Sequence, residues 1–255
     1  MVNMLDTRLL VTHLTRMDEG RFCAAGVGVS SEKHIRPVPR NQGGLPGSIM
    51  AGVFQLGGVV HLGPTKDVGL APEVEDHEFE GKLARMVGAF VPADFWNRLR
   101  CLARPALATI FGNDFYTEGR HGFVDEGKGN CSLGYFVPLR ENHLQVKYDV
   151  FGGKPGKPGK PSKPRIRAVL QRVGGSELNL AVNDLRFHEE KPWGWSLRER
   201  AQEQVELINH KIADGVPCVL AVGLTRPWAR ESDLKPRHWL QVNNIYYEDD
   251  PLWRI

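Results

Sequence analysis

The sequence predicts a mainly β, β-rich α+β chain folded as two small barrel-like halves with a few helices. Three observations carry this. Short runs rich in Leu, Val and Thr recur towards both ends, as in RLLVTHL at 8–14 and CVLAVGLT at 218–225. The 28 Gly and 17 Pro punctuate such runs, which suits many short strands joined by turns. A chain of 255 residues, 41% of them hydrophobic, can fill two cores of ordinary domain size. We expect an N-terminal half over 1–130, with a helical and loop insertion, and a C-terminal half over 131–255, with a Lys-rich loop and a long helix.

In the first half, 8–14 and 21–29 read as strands joined by a turn at 15–20. His34 to Val38 returns as a short third strand. Pro37 cannot donate to a ladder, so this strand is expected at an edge or to end there. Residues 52–62, GVFQLGGVVHL, read as another strand, bent at Gly57-Gly58. Pro92 suits a first helical turn, and Phe95, Leu99 and Leu102 recur at helical spacing, so 92–103 is predicted helical. The Gly- and Asp-rich stretch 106–130 reads mostly as loop.

The second half reads more regularly. Strands are expected at 133–139 and 143–151, and 165–187 forms a hairpin in which Leu178, Leu180 and Val182 share one face. Ser196 and Glu199 make a capping box, and Leu197, Ala201, Val205, Ile208 and Ile212 line one face of the helix that follows. Gly215 and Pro217 stop it. Residues 218–225 and 238–246 are the last strands. Strands, then a helix, then two strands is the order of an OB-fold, although other β domains with one helix share it. An L-T-R tripeptide recurs at 14–16 and 224–226, a weak internal echo.

The formal net charge is +3. Residues 153–167 hold Lys154, Lys157, Lys160, Lys163, Arg165 and Arg167 without an acid, and +3 less those six cations leaves −3 for the remainder. Basic character is therefore local, which suits a phosphate-binding patch rather than a uniformly basic surface. Cys23, Cys101, Cys131 and Cys218 form no CxxC pair and read as free thiols in a reducing compartment. No signal peptide and no run of about 18 apolar residues is seen, so no membrane contact is expected and the cytoplasm is the expected location.

Three features could bind nucleic acid. In the tract GKPGKPGKPSKP at 153–164, Lys recurs every third residue. In polyproline II, with about three residues per turn, the four lysines would line one edge about 9 Å apart. The tract is either a solvated loop or a cationic finger on phosphates. Trp193, Trp195 and Trp228 lie near turns and cations, where bases could stack, whereas Trp239 within a strand reads as core. Arg16, Arg36 and Arg226 stand at strand ends, able to converge on phosphates or to anchor loops through salt bridges.

Catalytic chemistry has less behind it. His13, His34, His61, His121 and His238 are scattered and give no zinc spacing, even allowing His34 to approach Cys23 or His238 to approach Cys218. Asp76-His77-Glu78 and Asp184 with His188 are carboxylate–imidazole neighbours of a common kind. No nucleophile-elbow, P-loop or dinucleotide motif occurs. We expect no catalytic residue, metal or cofactor.

THLTRM at 12–17, FCAAGVGV at 22–29 and HIRPVP at 34–39 resemble the start of the prokaryotic dual OB domain-containing proteins. AVNDLRF at 181–187, VGLTRPW at 222–228 and HWLQVNNIY at 238–246 resemble their later half. The resemblance implies two OB-like Greek-key barrels and a role in binding nucleic acid, single-stranded DNA or RNA. The alternative is a protein-interaction subunit of a larger defence or repair assembly. The lysine tract is no part of that resemblance.

Overall fold

A computed structural model describes residues 8–17, 21–40, 44–46, 52–138, 144–150, 164–171, 177–188, 197–230 and 233–254. In the first half, β1 (Arg8–Arg16), β2 (Arg21–Gly28) and β3 (His34–Pro39) form an antiparallel meander. The short β4 (Leu45–Pro46) pairs with the start of β2. β5 (Gly58–His61) pairs with β1, β6 (Thr65–Asp67) with β7 (Asp76–Phe79), and β7 runs parallel to β3. Only residues 62–64 separate β5 from β6, so one extended segment joins β1 to β7 and curls the sheet into a barrel. β8 (Arg85–Ala89) adds to the outer edge of β5.

Leu9, Val11, Leu14, Phe22, Ala24, Ile35, Val60, Leu62 and Phe79 fill this barrel. The inward positions change parity between Val11 and Leu14 because β1 carries a bulge between Val11 and His13. One extra residue turns every later side chain over. His13 therefore leaves the barrel interior and stands on its outer side. Gly26 allows close packing here: a Cβ would lie 1.8 Å from the Leu10 carbonyl oxygen.

α1 (Pro92–Leu102) and the short α2 (Leu107–Phe111) connect the halves. The second sheet then takes in β9 (Phe115–Glu118), β10 (His121–Asp125), β11 (Leu133–Phe136), β12 (Leu144–Val150), β13 (Pro164–Gln171) and β14 (Glu177–Val182). α3 (Leu197–Ala213) precedes β15 (Cys218–Leu224), β16 (Trp228–Arg230) and β17 (Asp233–Tyr247). β12, β13 and β14 form a meander, β14 lies parallel to β17, and β17 is antiparallel to β15. With α3 between the third and fourth of these strands, the chain follows the OB path. Gly215, at φ +79°, ends α3 as expected. The free edge of β12 is capped from the helix: Asn209 accepts from the Val146 N–H at 2.9 Å and donates to its carbonyl at 2.8 Å.

The barrels share a third apolar cluster. Phe95, Trp96 and Leu99 of α1 pack with Leu10, Val27, Tyr135, Val219, Ala221 and Tyr246. Polar pairs cross the same joint. The Asn244 side chain accepts from the Leu14 N–H at 2.9 Å, and the Tyr246 hydroxyl donates to the Thr12 carbonyl at 2.7 Å. The main fold is thus the two OB-like barrels that the sequence predicts, with a mainly β content.

Four sequence expectations are corrected. The strand expected over 52–62 is confined to β5, because Gly57 adopts φ +77° and turns the chain. β3 is not at the sheet edge: it lies between β2 and β7. Its pairing with β2 is recorded only at His34 and Ile35, so Pro37 interrupts no ladder on that side. Residues 106–130 are not mostly loop, since they form α2 and the β9–β10 hairpin, and that hairpin belongs to the second sheet. The L-T-R echo does not mark equivalent places: the first copy ends the first barrel strand, and the second follows the fourth strand of the other barrel. Among the described residues, no helix is long and apolar enough to cross a membrane.

Candidate nucleic-acid interface

On its inner face the second barrel buries Val146, Ile166, Ala168, Leu180, Val182 and Val242 around α3. Alternation sends their neighbours outward. Lys147 faces Arg167, Arg167 faces Ala181, and Ala181 faces Gln241 across β12, β13, β14 and β17. Two residues before Gln241, Trp239 emerges on the same side. From there the face continues onto β10, β9 and β16.

Register explains what this outer leaf presents. Trp239 lies opposite Phe123, Phe123 opposite Tyr116, and Trp228 opposite Arg237. Register sets Tyr116, Phe123 and Trp239 in one row, and Trp228, diagonal to Trp239, extends it onto a fourth strand, with successive ring centres 6.0, 5.5 and 5.8 Å apart. The Trp239 indole N–H donates to the Trp228 carbonyl at 3.0 Å, and its backbone N–H to Thr225 Oγ1 at 3.0 Å. Two guanidiniums roof the middle of the row. Arg230 lies 3.5 Å from the centre of the Trp239 ring and Arg237 lies 3.9 Å from that of Phe123. The covered rings are 5% and 6% exposed, whereas Trp228 and Tyr116, at the two ends, are 47% and 50% exposed. Aromatic planes beside arginines are what unpaired bases and their phosphates meet in single-strand sites.

The charges here are mixed. Arg237 pairs with Glu118 at 2.8 Å, Lys235 with Asp125 at 2.5 Å, and Arg120 with Glu177 at 2.8 Å. The net field is nonetheless felt by His121, whose pKa lies below its ordinary value through burial and through Arg230 and Arg167. Arg167 is itself lowered, by burial and by Arg165 beside it. Arg165 is exposed, opposite Asp149 on β12.

Of the site residues expected from sequence, Arg165 and Trp228 lie on this face. Arg16 is exposed at the end of β1, away from the ring row in sheet membership. Arg36 does not reach the surface. It is 7% exposed, and its Nε donates to Asp76. Arg226 donates to the other oxygen of Asp76 at 2.5 Å and lies 3.3 Å from Glu73. Two of the three strand-end arginines thus converge on a carboxylate of the chain itself, the anchoring alternative. Lys154, Lys157, Lys160, Lys163, Trp193, Trp195 and the cap residue Ser196 lie outside the described residues. Trp239 is buried as expected, but under Arg230 rather than in the barrel interior.

Tyr116, Phe123, Arg230 and Arg237 were not singled out by sequence. The signal for Tyr116 and Phe123 was FYTEGRHGFVD at 115–125, aromatic residues on both sides of a Gly-Arg turn, which high Gly and Asp content disguised as loop. The carboxylate–imidazole neighbours separate into other partnerships. Asp76 serves Arg36 and Arg226, and Asp184 serves Arg186. Cys218 and Cys131 are pushed up to about 12 by burial, so both remain thiols. Among the described residues, no three His, Cys, Asp or Glu side chains are grouped to hold a metal ion. No protein-family model and no curated protein matches the chain.

Proposed function

We propose that the chain binds single-stranded nucleic acid, DNA or RNA, on the outer face of its second barrel. The observation that carries this reading is the row Tyr116–Phe123–Trp239–Trp228, open at both ends and roofed by two guanidiniums. A base at either end finds a half-exposed ring, and the phosphate between finds Arg230 or Arg237. In the sequence the lysine tract lies between β12 and β13 and ends beside Arg165, which is exposed. Resemblance to the dual OB domain proteins agrees with this reading. Fluorescence anisotropy with short labelled single strands of DNA and RNA tests it. Binding is expected at low salt, weakening as salt rises. Folded protein that binds neither strand at low salt contradicts it.

A second reading, a protein-interaction subunit, has its own support. All five residues of β8 are exposed, at a sheet edge. Leu83, Met86, Val87 and Val91, in that strand or within two residues of it, are exposed apolar side chains. Such an edge can accept a strand from a partner. Co-purification of a stoichiometric protein, lost on Val87→Lys, would favour it.

A further inference from the structure

Beside the ring row, the outer face of the second barrel carries a cross-strand pair of like charge. Lys147 on β12 lies directly opposite Arg167 on β13. In such a pair the Cβ atoms stand about 5 Å apart, and like charges so placed destabilise a sheet. Arg165, two residues away on the same face of β13, adds a third cation. Asp149 is the only acid in the two strands, and it lies opposite Arg165 rather than opposite either member of the facing pair.

Lys147 and Arg165 are exposed, and Arg167 is half-buried. Burial and the neighbouring Arg165 together hold the Arg167 guanidinium below its ordinary pKa. The cations here outnumber the acid that could offset them. An anion seated over β12 and β13 would relieve the repulsion, and the exposed lysine and arginine leave it open to solvent.

This patch adjoins the ring row. Arg167 lies opposite Ala181, and Ala181 lies opposite Gln241, two residues from Trp239. Arg167 is thus two strand spacings, about 10 Å, from the strand that carries Trp239. Ala181 presents only a methyl group between them. His121 links the two: its ring meets Trp239 edge-on at 6.0 Å, and it feels both Arg230 of the row and Arg167 of the patch. The hairpin that carries His121 is tied to β14, where the Asn179 backbone N–H donates to the Arg120 carbonyl at 2.9 Å. Row and patch therefore share one surface.

Bases need planes and phosphates need cations, and a single strand carries both in covalent series. We propose that Lys147, Arg165 and Arg167 hold a phosphodiester of the same single strand whose bases stack on the ring row. The strand then leaves the row past His121 and Ala181 and crosses β13 toward β12. This rests on the ring-row reading and adds to it a direction and a minimum length. Because the two contacts are linked, the second strengthens only strands long enough to reach it.

Anisotropy with labelled single strands of about 4 and about 12 nucleotides, the range that one OB barrel covers, tests the route. The short strand covers the row, and the long one reaches the patch as well. Lys147→Gln, at an exposed position and with one of two facing like charges removed, should fold at least as well as the parent. It is expected to bind the short strand as the parent does and the long strand about tenfold more weakly, with the salt slope lower by about 0.7. Arg167→Gln is a second variant with the same expected pattern from the facing strand. Lys82→Gln, in the first barrel, makes the same change in net charge and is expected to leave both affinities unaltered. Long-strand binding that neither patch variant weakens overturns the proposal and leaves the ring-row reading standing. So does an equal loss on both lengths, or an equal loss in Lys82→Gln, either of which marks an effect of net charge alone. A parent chain that binds neither strand at low salt overturns both readings together.

Discussion

His13 and Asn243 meet at 3.1 Å across the joint between the barrels, and each stands at a β-bulge. In β1 the bulge lies between Val11 and His13. In β17 the ladder with β15 passes from Asn244 to Val242 and skips Asn243. Gly223 makes room for it, since a Cβ there would lie 2.4 Å from the Asn243 amide nitrogen. Each barrel thus breaks its own alternation to send one polar residue to the other.

Stacking at the ends of the aromatic row makes the first prediction. Trp228→Ala is expected to weaken binding of a short single strand by about 1–3 kcal/mol per base stacked. Because the side chain is 47% exposed and it is the Trp228 carbonyl that receives the Trp239 N–H, stability should change by less than about 0.5 kcal/mol. Anisotropy and urea unfolding on the same variant separate the two effects. Unchanged affinity would remove Trp228 from the site.

The lysine tract should act through salt dependence rather than specificity. Replacing Lys154, Lys157, Lys160 and Lys163 by Ala is expected to reduce the slope of log affinity against log salt by up to about 3, at about 0.7 per phosphate contact for single strands. Equal slopes for the parent and the quadruple variant would mean the tract is only a solvated loop.

Asp184 and Arg186 tie the end of β14 to the C-terminal segment. Asp184 is fully buried and receives two bonds from the Arg186 guanidinium, at 3.0 and 2.7 Å, while Arg186 also donates to the Ile245 and Trp253 carbonyls. The guanidinium lies 3.6 Å from the Trp253 ring centre. Asp184→Ala leaves a buried cation with only carbonyl partners, so a loss of about 3–5 kcal/mol is expected in urea unfolding. A loss below about 1 kcal/mol would show the pair to be solvated after all.

Stability should also depend on pH through the joint. His34 is lowered from 6.5 to about 4, and His13 is lowered as well. Between about 4 and 6.5 the unfolded chain binds protons that the folded chain refuses, so stability rises with pH across that window. Each imidazole adds up to about 1.4 kcal/mol per pH unit. Glu75 opposes this just above its ordinary 4.5, because burial raises its pKa and the folded state there holds the extra proton. Unfolding midpoints measured across the window should rise less steeply in His34→Gln. The same slope in both chains would contradict the neutral, buried state of this imidazole.

Much of the fold was legible because strands of one-sided burial write their alternation into the sequence. Leu178, Leu180 and Val182 do this in β14, and the hairpin with β13 pairs as that pattern requires. The helix ending at Gly215 was legible from its period and its stop. The 115–125 hairpin was not, because its outward face carries aromatic rings and its inward face little regular hydrophobicity, so periodicity had nothing consistent to report. Arg36 and Arg226 were legible as a set of strand-end cations, but their acceptor, Asp76, is 40 residues from one and 150 from the other.

The sequence by itself determined the β-rich class, most strand positions, the long helix before the last strands and the concentration of charge in one tract. Those are local properties, set by side-chain period, turn residues and composition within a few residues of one another. Only the tertiary structure decided which face each polar residue occupies. Two one-residue bulges reverse the parity that alternation would assign, and the strand order brings Tyr116, Phe123, Trp239 and Trp228 into one row from segments far apart in the chain. A bulge costs one residue in the count and changes every direction after it, so the joint and the ring row take their form from strand pairing rather than from sequence pattern.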